Sequence, residues 1–410
     1  MNKIKYFLPL MLVAAYSCSD DVPQTGNPNV PELGTFDLSR SEREVAANVD
    51  RFGVDMFNTV NSHWAEISKD GLSENFTVSP LSATVCLAMM ANSCDERVAR
   101  EISEVVGVED LGALNTLCNK YVRMAAHPGG TDVCLLANSI WYSDRLTVSP
   151  DYVKSIRDMF YADVNGADLS SSSTIDLINS WAHANTHGYI DRVADSDDRD
   201  KIILWLNAMY FQGEWREKFD KSRTQKEIFH GTGRDGIAAM MHRDGKMEYA
   251  CEDGFEAVTM PFKGATTITF VLPPEDLAIE SLSEKFTYDV WTRLRMEYSN
   301  ILVHLGLPKY KIASECDMMD ALELMGFDNG KTTLSKMGCN TFVPGLECRQ
   351  YNYMEVDEDG AKVASVTKGS NGDTAVRVDE VTVTFNRPFI FFITNRPTGA
   401  VLLAGRVSNI

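Results

Sequence analysis

The chain has 410 residues, of which 44% are apolar and 24% charged, a composition typical of a folded, water-soluble protein. Lys and Arg number 39 against 58 Asp and Glu, which gives a formal net charge of −19, and no stretch concentrates the basic residues. Nucleic acid and anionic membrane surfaces are therefore not expected as partners.

The amino terminus has the pattern of a secretion signal. Lys3 and Lys5 precede an apolar run from Tyr6 to Tyr16, which is too short to span a bilayer but suits a signal peptide over residues 1–17. We therefore expect the mature chain to be exported.

A lipobox-like sequence and a polar, proline-rich stretch follow the signal. The residues Ala15 to Cys18 resemble a bacterial lipobox, which predicts lipidation of Cys18 and a membrane-anchored lipoprotein in the periplasm or at the cell surface. Simple secretion is the alternative. Residues 18–36 are rich in Pro, Gly and Asn, which predicts a flexible tether, and residues 37–410 form the folded domain.

Hydrophobic periodicity predicts helices first and strands later. Helical patterns cover residues 41–66, 80–93, 95–106, 150–160 and 174–187, and return at 278–297 and 315–326. Continuously apolar runs at 202–211, 268–272 and 389–393 predict strands buried on both faces, and 301–312 and 381–385 alternate like half-buried strands. Because the two types of element do not alternate regularly, we predict an α+β fold.

Motifs that would indicate an enzyme are incomplete. His183 and His187 have the spacing of a zinc protease, but Ala184 stands where the HExxH motif needs its glutamate. The glycines between Gly231 and Gly236 match GxGxxG, yet no helix of useful length is predicted to follow them. We predict that the protein is not an enzyme and needs no cofactor or metal.

A segment of about twenty residues between Asp357 and Val381 has an internal alternation that a simple linker would not need. One set of alternate residues is small and the other carries two lysines: Ala361, Val363, Ser365 and Thr367 against Lys362, Ala364, Val366 and Lys368. As a strand, this segment would place buriable groups on one face and both lysines on the other. Gly360 can act as a hinge at its base.

Seven short sequence blocks follow one another along the chain: Asn75 to Ser82, Ala137-Asn138, Ile178 to Trp181, Leu206 to Trp215, Met260 to Gly264, Leu307 to Tyr310 and Phe385 to Phe389. Taken in this order, they resemble the serpin family from about residue 40 to Ile410. The resemblance implies one domain with three β-sheets, about nine helices and an exposed reactive-centre loop at about 358–380. Length alone had favoured more than one domain.

The resemblance also implies a function, that of an irreversible, suicide-substrate inhibitor of serine or cysteine proteases. In inhibitory members the protease cleaves the loop, which then inserts as a new strand into the central sheet while the enzyme is still acylated. A non-inhibitory serpin-like surface binding protein is the alternative. We expect a monomer whose partner is a target protease and which contacts a membrane only through an amino-terminal lipid.

Site residues follow from the matching positions. The hinge set is Glu358, Gly360, Ala361, Val363, Ser365 and Thr367, and the residues beneath or beside the opening strands are Ser79, Ser82, Asn207, Trp215 and Gln350. Counting from the hinge predicts cleavage between Thr374 and Ala375, which suits elastase-like enzymes. Counting back from Phe385 predicts cleavage between Arg377 and Val378, which suits trypsin-like enzymes.

Overall fold

Helices form most of the first half of the chain, as the periodicity predicts. The computed structural model describes residues 30–32, 37–68, 74–361 and 380–410. Its α-helices are α1 (Arg40–Ile67), α2 (Pro80–Ala91), α3 (Glu96–Val106), α4 (Leu111–Ala126), α5 (Pro150–Phe160), α6 (Ser172–Asn185), α7 (Tyr288–Met296) and α8 (Met318–Leu324). Short 3-10 helices cover Ser196–Asp200, Lys221–Arg223, Ile279–Glu284 and Ser335–Met337.

The strands belong to three sheets within these described ranges. They are β1 (Phe76–Val78), β2 (Val133–Ser143), β3 (Asp163–Ala167), β4 (Ile203–Glu214), β5 (Gln225–His230), β6 (Asp235–Glu252), β7 (Phe255–Pro261), β8 (Thr266–Leu272), β9 (Ser299–Pro308), β10 (Tyr310–Asp317), β11 (Thr332–Thr333), β12 (Phe342–Val343), β13 (Cys348–Val356), β14 (Gly360–Ala361), β15 (Glu380–Thr384), β16 (Phe389–Asn395) and β17 (Val401–Val407). The expected α+β fold with three sheets and about nine helices is confirmed.

The six-stranded sheet has the order β10-β13-β4-β2-β3, with β14 also paired to β4. Its two central strands, β13 and β4, run parallel, whereas β13 is antiparallel to β10 and β4 is antiparallel to β2. Every residue of β4 except Glu214 is buried, which explains the continuously apolar sequence of this strand.

A core helix supports this sheet from below. In α2 all twelve residues are buried, Pro80 occupies the first turn, and the Ser79 hydroxyl accepts a hydrogen bond from the Ser82 amide (3.0 Å) as the amino-terminal cap. Such a helix is apolar on all sides because protein surrounds it. The cap therefore fixes Ser79 and Ser82 directly under the sheet.

The second large sheet has nine strands in the order β1-β17-β16-β8-β7-β6-β9-β15, and β5 pairs with β6. The long strand β6 pairs with β5 at one end and with β7 at the other. A two-stranded sheet, β11 with β12, completes the set. Within the described part of the chain, no helix is long and apolar enough to cross a membrane.

Some predicted boundaries were wrong. The predicted helix over 278–297 is a 3-10 turn followed by α7, because Thr287 caps a new helix by accepting from the Val290 amide (3.3 Å). The predicted strand over 301–312 is two strands separated at Lys309, and strand β10 occupies the start of the predicted helix over 315–326. The helix α4 and the first-half strands β1, β2 and β3 were not predicted.

Candidate functional site

The seam between β4 and β13 lies at the centre of the six-stranded sheet. The parallel register runs from Cys348 opposite Trp205 to Tyr353 opposite Tyr210. Beyond this point the two strands continue without pairing to each other, β13 to Val356 and β4 to Glu214. The sheet is therefore closed along the seam and splayed at one end.

Polar side chains lie beneath the seam, where α2 meets the sheet. The Ser79 amide donates to Oε1 of Gln350 (2.9 Å), and Nε2 of Gln350 donates back to the Ser79 carbonyl (2.8 Å). Gln350 is the register partner of Asn207, whose Nδ2 donates to Oδ1 of Asn138 (2.6 Å). Ser79, Ser82, Asn207 and Gln350 are thus brought together around one point of the seam.

Three buried polar atoms at this place have no hydrogen-bond partner within the described residues. They are the Asn207 Oδ1, the Asn352 Oδ1 and the Ser82 hydroxyl oxygen. An unpaired buried polar atom costs about 1–3 kcal/mol. The closed seam therefore stores unfavourable free energy that new hydrogen-bonding groups could relieve.

A tight turn at the splayed end sends the chain back along β4. The Asp357 carboxylate accepts from the Asp359 amide (2.8 Å) and the Gly360 amide (3.2 Å), and the Asp357 amide donates to the Gly360 carbonyl (3.0 Å). Gly360 and Ala361 then pair antiparallel with Glu214 and Gly213. Two residues already occupy the space between the splayed strands, and Ala361 is only 1% exposed.

Glycine is required at residue 360 because the two backbones approach closely. Its φ of 153° is uncommon for residues with a side chain, and a Cβ placed there would overlap the Gly213 carbonyl oxygen and lie 2.8 Å from the Glu214 Cα. The hinge interpretation of Gly360 thus has a steric basis in this structure.

Two acidic residues of the turn are held by lysines. The Glu358 carboxylate accepts from Lys309 (2.8 Å) and from the Thr224 hydroxyl (2.8 Å). Burial acts to raise the pKa of Glu358, but the hydrogen bonds from Lys309 and Thr224 outweigh it and keep that pKa below its ordinary value. The turn is therefore held most firmly while Glu358 is ionised.

Asp359 is held in the same way. Its carboxylate accepts from Lys218 (3.0 Å) and Lys221 (2.7 Å), and it is only 5% exposed. Burial acts to raise the pKa of Asp359, and the bonds from Lys221 and Lys218 hold it below the ordinary value. Sequence reasoning missed all three lysines, although Lys309 lies within one of the quoted family blocks.

Trp215 links the turn to the second sheet. Its side chain is fully buried and stacks on Phe262 at 4.7 Å, and its indole N–H donates to the Asp357 carbonyl (2.9 Å). Its backbone amide donates to the Asp359 carbonyl (3.1 Å). Trp215 therefore lies directly at the end of β4 that receives the turn.

A segment that follows α6, residues 186–195, covers the outer face of the seam; we name it the cover segment. Tyr189 stacks on Tyr210 of β4 (4.5 Å) and on Tyr353 of β13 (5.9 Å). The Tyr351 hydroxyl also donates to the Val193 carbonyl (3.1 Å). Because these contacts bridge both strands, any separation of the strands must displace them. Sequence reasoning did not predict these contacts.

The patterns set aside at the sequence level have structural roles. His183 Nδ1 lies 2.7 Å from the Asp191 carboxylate, and among the described residues no group of three or more His, Cys, Asp or Glu side chains could hold a metal. Gly231 and Gly233, the latter with a φ of 79°, lie in the turn between β5 and β6, and Gly236 lies at the start of β6. No helix follows them, so the motif of a pyrophosphate-binding turn is absent from these residues.

The remaining predicted site residues lie outside the described ranges. These are Cys18, Val363, Ser365, Thr367, and both predicted cleavage positions, Thr374-Ala375 and Arg377-Val378. Only the first part of the predicted loop, from Glu358 to Ala361, is described.

Comparisons with known proteins agree with this architecture. Residues 47–410 match the family described as Serpin (serine protease inhibitor). The chain is 27% identical over 376 residues to leukocyte elastase inhibitor A of Rattus norvegicus, covering 87% of this chain and 97% of that protein.

Solved structures are similar as well. The native state of tengpin, a thermophilic serpin, superposes with a TM-score of 0.81 at 26% identity, covering 93% of this chain and 97% of that one. Human thyroxine-binding globulin in complex with thyroxine has a TM-score of 0.78 at 18% identity, covering 89% of this chain and 99% of that one, which is a likeness of fold alone.

Proposed function

This chain belongs to the serpin family, and we propose from that premise that it inhibits proteases irreversibly by inserting its cleaved loop into the seam between β4 and β13. The observation that carries the proposal is the pairing of Ala361 with Gly213, which defines the register that a longer inserted strand would follow.

The pairing of the loop can be extended along β4 and, separately, along β13, and both extensions place the same loop residue opposite the same pair of strand residues. Continuing the antiparallel pairing on β4 brings Thr367 opposite Asn207, because Ala361 lies opposite Gly213. On the other side, the Asp357 amide donates to the Gly360 carbonyl, which sets Gly360 opposite Asp357. Continuing this antiparallel pairing along β13 brings Thr367 opposite Gln350. Asn207 and Gln350 are already register partners, so one strand fits between them without a bulge.

The side chains at the core face match this register. Val363 would lie between the buried apolar side chains of Phe211 and Met354. Two hydroxyls would meet the unpartnered amide oxygens: Ser365 beside Asn352, and Thr367 beside Asn207. The inserted strand therefore supplies donors where the closed seam lacks them, and each restored hydrogen bond contributes about 1–3 kcal/mol.

The outer face matches equally well. Ala364 would lie between Tyr210 and Tyr353, beneath the ring of Tyr189, where a small side chain is needed. Lys362 would lie beside Glu355 of β13, an acidic residue that already pairs with Lys311 (2.9 Å). The register thus accounts for the small residues Val363, Ser365 and Thr367 on the core face and for Lys362 and Ala364 on the outer face.

Backbone pairing supplies further driving force. Insertion replaces one parallel ladder with two antiparallel ladders, and parallel pairing is the slightly weaker type. Each added ladder hydrogen bond contributes about 0.5–1.5 kcal/mol net, against an ordering cost for the loop backbone. A protease still bound as an acyl-enzyme would be carried with the loop and trapped.

We propose cleavage between Thr374 and Ala375 as the efficient inhibitory site, with cleavage between Arg377 and Val378 by trypsin-like enzymes at higher turnover per complex. Cleavage after Thr374 leaves fewer residues between the hinge at Gly360 and the bond to the protease than cleavage after Arg377. The protease is then held closer to the sheet after insertion, which favours trapping. Mass spectrometry of the released carboxy-terminal peptide distinguishes the two, since it begins at Ala375 or at Val378. A start at Gly369 would refute both assignments.

The inhibitory function is tested by mixing the chain with an elastase-like and with a trypsin-like serine protease and separating the products in detergent. A covalent complex that survives boiling supports the proposal, and the same protease without its catalytic serine is the control. Complete cleavage without any complex would instead favour a non-inhibitory binding protein, the alternative function.

We further propose that the protein is exported and anchored through a lipid on Cys18. The lipobox-like residues that end at Cys18 support this, and the family membership does not depend on it. Phase partitioning in a temperature-sensitive detergent tests it, with Cys18→Ser as the matched variant. A wild-type chain that stays in the aqueous phase would contradict anchoring and favour secretion.

A further inference from the structure

A basic cleft lies on the second sheet, in a chain whose net charge is −19. The cleft has a volume of about 260 Å³, and four of its lining residues are cations: Arg216, Arg243, Lys246 and Arg396. Two acidic residues, Glu217 and Glu248, also line it. The cleft therefore has a local charge of about +2, opposite in sign to the molecule.

Two of the four cations make no direct ion pair. Arg396 pairs with Glu248 at 2.5 Å, and Arg243 pairs with Glu217. The exposed side chains of Arg216 and Lys246 make no ion pair within 4 Å and no hydrogen bond to the described residues, although the charge of Arg216 acts at longer range to lower the pKa of Asp132. Both side chains can therefore turn toward a ligand.

Arg243 is the cation with the least access to water. Its side chain is 11% exposed, whereas that of its partner Glu217 is 71% exposed. Burial lowers the pKa of Arg243 in spite of the opposing ion pair with Glu217. The Arg243 guanidinium also donates to the Glu217 backbone carbonyl (3.0 Å), so one exposed residue supplies both of these partners. An ion pair to so solvated a carboxylate adds little.

The walls of the cleft are rigid. Arg243 and Lys246 lie on β6, which pairs with β9 along its centre, and the Arg216 amide donates to the Pro261 carbonyl at the end of β7 (3.0 Å). Groups fixed on strands need little ordering before they bind a ligand.

We propose that the basic cleft binds a doubly charged tetrahedral oxyanion, a phosphate or sulfate group, between Arg216, Arg243 and Lys246. Guanidinium groups bind such oxygens through paired, charge-assisted hydrogen bonds. At about 30 Å³ for each water molecule, the volume holds one such group with several waters but not a folded chain. None of the three cations contacts the paired part of the seam, although Arg216 directly follows Trp215, so anion binding can be measured without protease inhibition.

Binding is tested on the full chain by thermal melting with inorganic phosphate and with inorganic sulfate, at ionic strength held constant with sodium chloride. A ligand that binds only the folded state raises the melting temperature in a saturable way. We expect saturation with either or both anions and none with chloride. The anion that saturates at the lower concentration identifies the natural group.

The test variant, called the double variant, carries both Arg216→Glu and Lys246→Glu. The control variant is Lys285→Glu, which changes an exposed lysine on another part of the surface. The double variant should weaken anion binding at least tenfold while its melting temperature without anion stays close to that of the wild type. The control should bind as the wild type does. Equal binding by the double variant and the wild type, or no saturable response to either anion, would overturn the proposal.

Discussion

Ala361 is the residue at which the proposed insertion is most sensitive to charge. Its side chain is 1% exposed and its backbone pairs with Gly213 at the end of β4. An unpaired arginine in such a place costs several kcal/mol. Strand β14 pairs with β4 through only two residues, and each of their hydrogen bonds contributes about 0.5–1.5 kcal/mol, which cannot offset that cost.

Ala361→Arg should therefore detach the hinge and slow insertion until the acyl-enzyme hydrolyses. The assay is the stoichiometry of inhibition, the number of inhibitor molecules consumed for each protease inactivated. We expect it to rise at least tenfold for Ala361→Arg and to stay near the wild-type value for Ala361→Ser. Complexes formed by Ala361→Arg at wild-type stoichiometry would refute the assigned register.

Three further predictions concern the hinge and the cover segment. Gly360→Ala should free the turn from β4, because the new Cβ would overlap the Gly213 carbonyl, and amide hydrogen exchange at residues 358–361 should accelerate. Tyr189→Ala should lower the melting temperature of the intact chain and speed complex formation with protease, since it removes the ring that bridges β4 and β13. Glu358→Gln should destabilise the chain at about pH 7, and urea titrations should show this difference shrinking as the pH falls below about 4.3. Because the folded pKa of Glu358 is below its unfolded value of about 4.3, the stabilisation is present above that pH and is lost as the pH falls.

Each of these has an outcome that would contradict it. Unchanged exchange in Gly360→Ala would mean that the backbone contact with β4 does not hold the turn. Slower complex formation by Tyr189→Ala would mean that the tyrosine guides the strand rather than covers the seam. A difference in the free energy of unfolding between the wild type and Glu358→Gln that grows toward low pH would contradict the stabilising role of the ionised Glu358 carboxylate.

The alternation after Gly360 and the ordered family blocks could be found in the sequence because each is a local pattern. The buried runs of β4, β8 and β16 were equally clear, since strands covered on both faces are apolar throughout. By contrast, the lysines that hold the turn come from three places, Lys218, Lys221 and Lys309, and only the fold brings them to Glu358 and Asp359.

Residues 186–195 illustrate the same limit. Nothing in their sequence indicates that Tyr189 stacks across two strands, because the contact depends on where α6 ends above the sheet. Thr287 was missed for another reason: its cap lies inside an apolar pattern that reads as one continuous helix.

The melting temperature of the chain after cleavage within residues 368–378, compared with that of the intact chain, tests loop insertion most directly. New ladder hydrogen bonds contribute about 10 kcal/mol before the ordering cost of the loop is subtracted, so the rise in melting temperature should be on the order of 10 °C or less. Insertion between β4 and β13 predicts that rise in the cleaved chain. Cleaved protein that melts at the temperature of the intact protein would contradict it.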